Sequence, residues 1–346
     1  MGKRIIYCAD GTWDTSKKNS NVYKIYKAST NTADQVALYD DGVGSDGLPL
    51  ERLVGGAFGT GIWQKIKDGY SKISHVYEQD DPIFIFGFSR GAYTARSLAG
   101  MISVCGLPTH DFDNEALEMA FTAYRDKIAR PGLLTKLKTK CGMYDAKITM
   151  VGVWDTVGSL GIPSLIGQVE LLAYGFLDVG LHPDVQNAYH AMAIDERRAE
   201  FPATLWQGPF ADHQTVEQVY FTGCHSDVGG GTAVEADGSA LSNITLAWMM
   251  SKAAALGADF APGCAFPADA KFALDSINES WNIGWAFPVR RRIAPGAWIA
   301  NSVAIRVAEE NSYRPSNLNF ANDALGDYVM VDVVTQPGAQ AMKAGK

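Results

Sequence analysis

The sequence predicts an α/β fold, with a mostly parallel central sheet, helices on both faces and a loop-rich C-terminal extension. Three observations lead there. Short apolar runs recur along the chain and stop abruptly in polar, glycine-containing loops. They alternate with stretches of helical periodicity, the pattern of parallel strands joined by crossover helices. One run, Ile83 to Phe86, ends in Gly87-Phe88-Ser89-Arg90-Gly91 and passes at once into helix-forming residues. At 346 residues the chain can bury a sizeable core. We expect a single domain over 1–346, with 159–180 as an insertion and 257–346 as a loop-rich extension packed on the core.

In chain order, Arg4 to Ala9 reads as a buried strand stopping at Asp10-Gly11-Thr12, and Val36 to Tyr39 as a second stopping at Asp40-Asp41-Gly42. Ile62, Ile66, Tyr70, Ile73 and Val76 recur at helical spacing and lead into the Ile83 to Phe86 strand. A helix follows from about Ala92 to Ile102. Lys147 to Val153 is a further strand ending at Trp154-Asp155-Thr156, and Val219 to Thr222 another ending at Gly223-Cys224-His225-Ser226-Asp227. The run from Ala240 to Ala255 is a strong helix candidate. Beyond Leu256 glycine and proline are frequent, and Trp298 to Val307 is the segment expected to be ordered.

The Gly-Phe-Ser-Arg-Gly turn between strand and helix is the pattern that lifts a serine hydroxyl onto a nucleophile elbow. A serine needs a base within hydrogen-bond reach and a third group to fix that base's tautomer. Of six histidines, His75 falls inside the amphipathic helix, and His110, His182, His190 and His213 sit in helical or loop contexts with no strand end before them. His225 alone directly follows a predicted strand. The orienting acid should leave a different strand end, between serine and histidine in the chain, which selects Asp155; Asp227, two positions from His225, is the rival. The backbone N–H of Arg90, with one from Gly11 or Thr12, is expected to hold the oxyanion. Leu165, Ile166, Leu171, Leu172, Phe176 and Leu177 in the 159–180 insertion either fill the core or form a lid or acyl-pocket wall.

Competing readings stay open. Asp10, Asp40, Asp41, Asp155, His225 and Asp227 all fall at predicted strand ends, so a metal-dependent hydrolase is the rival enzyme class, and Gly229 to Gly231 could form an anion-binding loop. Neither shows recognised ligand spacing. A non-catalytic binding protein that keeps the elbow is a further alternative. The Asp10-Gly11-Thr12 turn evokes aspartate-nucleophile phosphatases, but Cys8 occupies the nucleophile position of that pattern.

A net charge of −8 without a basic run gives no support to a nucleic-acid partner. The N-terminal MGKRIIYCADG reaches an aspartate too early for a signal-peptide core, so cytoplasmic synthesis is expected, with export by a signal-independent route left open. Five scattered cysteines without CxxC spacing read as reduced core thiols. No cofactor is expected.

The chain resembles the α/β-hydrolase family that includes the first class of type VI secretion phospholipase effectors and many uncharacterised bacterial and fungal relatives. The resemblance rests on Asp10-Gly11-Thr12-Trp13, Asn21-Val22-Tyr23, Tyr39-Asp40-Asp41-Gly42-Val43-Gly44, GFSRGAYTAR, VGVWDTVGS, GCHSDVGGG, LSNITLAWM and Tyr313-Arg314-Pro315-Ser316-Asn317-Leu318. It covers most of positions 4 to 320. It implies an α/β-hydrolase-like fold and carboxyl-ester hydrolysis with Ser89 as nucleophile, Asp155 as orienting acid and His225 as base. The substrate implied is an acyl ester or phospholipid met in transient contact with a membrane surface, and the partners implied are secretion machinery or an immunity protein. One position departs from the pattern: Asn301 precedes Ser302-Val303 where relatives often carry histidine. Effector members also often carry an added membrane-contacting module, for which this chain leaves no evident room.

Overall fold

The computed structural model describes residues 2–11, 19–42, 57–157, 180–199, 201–231, 240–262, 269–282 and 287–334. Eight strands form one sheet: β1 (Arg4–Ala9), β2 (Gln35–Asp40), β3 (Ile83–Phe88), β4 (Ile148–Trp154), β5 (Asn187–Ala193), β6 (Thr215–Phe221), β7 (Trp298–Ala300) and β8 (Val329–Val331). Their spatial order is β8-β7-β6-β5-β4-β3-β1-β2, and every pairing is parallel. The sheet therefore has the expected α/β character, with its parallel pairing complete.

Sequence alternation assigns the two faces. Ile5, Tyr7 and Ala9 of β1 join one apolar cluster, and Ile6 and Cys8 join the other. Helices α2 (Ala57–Ser74), α3 (Arg90–Cys105), α4 (Asn114–Arg125) and α5 (Arg130–Cys141) pack on the first face; α1 (Asn21–Ala28), α6 (His225–Gly229), α7 (Leu241–Ala255) and α8 (Asn301–Glu309) cover the second. Helix α1 starts where Ser20 accepts the Tyr23 N–H, an N-cap. Helix α7 has buried residues around most of its circumference, which suits its position in the second cluster.

Register lines up the carboxyl ends. Ala9 lies opposite both Asp40 and Gly87, Phe88 opposite Trp154, Trp154 opposite Ala191, and Ala193 opposite Phe221. From β1 the chain moves outward to β2 and then returns to β3 on the other flank. The crevice between the ends of β1 and β3 is thus a topological switch point, where α/β sheets place their ligands.

Two elements differ from the sequence reading. His190, expected in a helical or loop context, lies in the middle of β5 and is fully buried. Strand β5 reads Asn-Ala-Tyr-His-Ala-Met-Ala, with neither β-branched residues nor polar alternation, because both its faces are covered. The extension supplies two strands of the sheet, and Trp298 to Val307 forms β7 and most of α8. Cys8, Cys105, Cys141 and Cys224 are buried free thiols, and Cys264 lies outside the described residues. Among the described residues no helix is long and apolar enough to cross a membrane.

Candidate active site

Ser89 sits between β3 and α3 with φ 57° and ψ −119°, a conformation side-chain-bearing residues rarely adopt and one that costs about 1–3 kcal/mol. Its neighbours hold it there. The Ser89 N–H donates to Trp154 O at 3.0 Å, tying the turn to the end of β4. A Cβ on Gly87 would lie 2.4 Å from Gly91 O, and one on Gly91 would lie 2.2 Å from Ala9 O and 2.4 Å from Asp10 O. Both glycines are therefore demanded by close backbone approach, and Gly91 sets the elbow directly on the end of β1. Arg90 opens α3, so the helix itself provides no acceptor for its N–H.

Asp155 leaves β4 with φ 40° and is fully buried. Its Oδ2 lies 2.6 Å from His225 Nδ1, and its Oδ1 accepts the Ala193 N–H at 3.0 Å. Arg291 grips the same carboxylate with both terminal nitrogens, Nη1 to Oδ1 at 2.5 Å and Nη2 to Oδ2 at 2.8 Å. Burial alone would raise the Asp155 pKa, but the Arg291 charge and the His225 hydrogen bond outweigh it and hold the carboxyl well below the usual range. An ionised carboxylate only accepts, so Nδ1 of His225 carries the proton and Nε2 is left as the acceptor.

His225 begins α6, just past the end of β6. Its backbone N–H donates to Glu196 Oε2 at 3.2 Å, and Glu196 is in turn held by Arg198 and Ser280. The ring is packed by Phe88, the residue before the serine, at 4.6 Å between centroids, and by the edge of Phe201 at 5.1 Å. The turn at Ser89 and the acid candidate follow the neighbouring strands β3 and β4, and the base candidate, which follows β6 on the far side of β5, reaches the acid across the end of β5.

The other candidates are differently employed. Asp227 accepts the N–H groups of Cys224 (2.9 Å) and Asn278 (3.1 Å) and the Asn278 side-chain amide (2.6 Å). It caps α6 and anchors a passing segment, while Asp155 holds the imidazole. Gly11, expected as an oxyanion donor, gives its N–H to Asp10 Oδ1 at 2.8 Å, so that group is committed to the carboxylate; Thr12 lies outside the described residues. Asp10 also accepts from the Ser20 and Tyr39 hydroxyls, and Asp40 pairs with Lys65 and Lys72. Of the residues considered for a metal, Asp155 and His225 are bonded to each other while Asp10, Asp40 and Asp227 have other partners, and among the described residues no group of three or more His, Cys, Asp or Glu converges to hold an ion. Of the glycines 229 to 231, two are used in packing: Gly229 abuts the Phe88 ring and Gly230 the Asn21 backbone. Asn301 holds the segment after β8, bonding to the backbone of Val333 and Val334 and to the Asp332 side chain. The expected lid or acyl-pocket wall at 159–180 falls outside the described residues except for Gly180.

Sequence reasoning missed Arg291, Glu196 and Phe201. Arg291 stands in the Arg290-Arg291-Arg292 run, whose only signal was three successive cations in a proline- and glycine-rich stretch.

Comparison with known proteins adds to this geometry. The family model described as T6SS, phospholipase effector Tle1-like, catalytic domain matches residues 3–252. An uncharacterised protein of Saccharomyces cerevisiae is 30% identical over 227 residues, which are 58% of this chain and 32% of that protein. A crystal structure of an uncharacterised protein from Pseudomonas aeruginosa aligns with TM-score 0.46 and 19% identity, over 75% of this chain and 46% of the other. The Tle1 effector bound to the VgrG spike of the type VI secretion system aligns with TM-score 0.36 and 17% identity, over 67% and 52%. The chain spans 32% of the yeast protein and 46% of the Pseudomonas one. With the matched span running from β1 through most of α7, the chain belongs to the family of Tle1-like phospholipase effector catalytic domains.

Proposed function

We propose that this chain is a serine esterase that releases acyl groups from phospholipids through an acyl-enzyme. The observation that carries this reading is the buried Asp155–His225 pair at 2.6 Å, placed beside a serine strained into an elbow at the end of the neighbouring strand. Ser89 Oγ attacks the ester carbonyl as His225 Nε2 takes its proton, and Asp155 stabilises the imidazolium that forms. The negative charge developing on the carbonyl oxygen is met by the Arg90 N–H, with the Thr12 N–H as the second donor of this proposal. Collapse expels the alcohol, which takes the proton from His225, and water then repeats the sequence to free the fatty acid. Phospholipid as substrate rests on family membership. The same membership makes a component of the type VI secretion machinery and an inhibitor protein the partners to test.

The test is hydrolysis of diacyl phospholipid vesicles alongside ether-linked analogues and short acyl esters, with wild-type and Ser89→Ala protein. Wild type is expected to release fatty acid from the esters only, and Ser89→Ala to release none. Phospholipid turnover surviving in Ser89→Ala removes the serine mechanism; activity on short esters alone removes phospholipid as substrate.

A further inference from the structure

We infer that Arg291 is a positioning residue of the reaction, a cation that sets both the geometry of the Asp155–His225 pair and the pH at which the base works. The inference rests on the esterase reading above. Arg291 is almost wholly buried, at 7% side-chain exposure, and its donors are used on one neighbourhood. Besides its two bonds to Asp155, Nη1 donates to Ala193 O (3.1 Å), and Nε and Nη2 donate to Phe201 O (3.1 and 2.7 Å). One planar guanidinium thereby fixes the acid, the end of β5 and the residue whose ring packs on His225. Lysine, a point charge without the fork, cannot reproduce that set.

The electrostatic consequence is specific. In a triad whose carboxylate faces the imidazole alone, the full negative charge favours the imidazolium. Here the same carboxylate is held by a cation as well, so its charge is divided between two partners. Other titratable groups lie nearby, among them Tyr220 of β6, which faces both Asp155 and Arg291. Glu196 lies on the His225 backbone N–H and is paired with Arg198, and Asp227 of α6 is bonded to Asn278. His190 of β5 accepts the Thr156 N–H and stays neutral, pushed down to about 3 by burial and then by Arg96. Among the described residues Arg291 is therefore the arginine that acts directly on the acid, and it lies beyond the matched span 3–252.

The experiment measures the pH dependence of Ser89 labelling by a fluorophosphonate, together with hydrolysis of a short p-nitrophenyl ester, in wild type, Arg291→Gln and Arg291→Lys. Melting curves accompany both variants. In folded Arg291→Gln the acid limb should move to higher pH by about one unit, because the imidazolium now meets an unshared carboxylate. The plateau rate should fall about tenfold or more. Arg291→Lys should leave the limb in place while lowering the plateau at least about threefold. A limb unmoved in Arg291→Gln, despite a lower melting temperature, would make the residue merely structural and overturn the inference. Should Arg291→Gln not fold, Arg291→Lys decides: a wild-type plateau rate overturns the inference, and a lowered plateau with an unmoved limb supports it. Ser89→Ala separates the two levels. If it still hydrolyses the ester, the esterase reading fails; if it is dead and Arg291→Gln behaves as wild type, only this inference fails.

Discussion

The two halves of the site are built by different physics. Around Ser89 the determinants are steric: two glycines without side chains, contacts near 2.2–2.4 Å that any Cβ would have to make, and a backbone forced to φ 57°. Around His225 they are electrostatic: a buried carboxylate, a histidine and an arginine, brought together across separations of 70 and 136 residues. The serine half tolerates no added atom, and the acid–base half tolerates no lost charge. On the proposed mechanism, shape positions the group that attacks, and charge decides when its proton can leave.

The sharpest way to break this division is to remove the hydroxyl that the steric half presents. Ser89→Ala should abolish ester turnover by about 10⁴-fold or more with an unchanged melting temperature; a tenth of wild-type activity retained by the purified variant would remove the nucleophile from the scheme. Next comes the acid. Asp155→Asn should cost about 10⁴ in kcat because the amide no longer fixes the Nδ1-protonated ring. Asp227→Asn should stay within about tenfold and cost about 1 kcal/mol of stability as a weakened cap. Reversal of that ranking in folded proteins would move the acid to α6.

Gly91→Ala addresses the steric half without touching charge. The methyl group would meet the carbonyl oxygens of Ala9, at the end of β1, and of Asp10 just after it, so we expect a loss of about 1–3 kcal/mol in the unfolding free energy from denaturation, with activity falling alongside. An alanine variant as stable as wild type would show that the elbow does not rest on β1. The smallest expected effect lies in pH. The folded-state pKa of Asp155 is depressed below an unfolded value of about 3.9. Its contribution to stability is therefore present above that value and is lost as pH falls through the lower folded one. The melting-temperature gap between wild type and Asp155→Asn should accordingly stay constant from pH 7 to about pH 5; narrowing within that window would show that Arg291 does not hold the carboxylate ionised.

What was legible in the sequence follows the same division. The elbow could be read because strand, glycines and serine fall within a few consecutive residues, and Asp155 and His225 because each directly follows an apolar strand. Arg291 could not be read, since three consecutive arginines look like a solvated patch until a buried carboxylate is known to wait for one of them. Strand β5 escaped because a strand covered on both faces has no alternation to betray it, and β7 and β8 because three residues carry no period at all. Gly11 showed the limit of local reasoning: its position was as expected, but its N–H is turned to the aspartate beside it.

The bond between Asp155 and Arg291 also orders events in time. During folding, the end of β4 cannot leave water at low cost until the segment around residue 291 docks, because an unpaired carboxylate resists burial. Closing a loop of 136 residues is slow relative to pairing neighbouring strands. A partly folded chain can therefore hold its sheet and its elbow and still lack an organised base. In the native protein, amide exchange at the ends of β4 and β5 should be governed by release of that late segment, so the centre that performs the chemistry would be the last part to assemble and among the first to open.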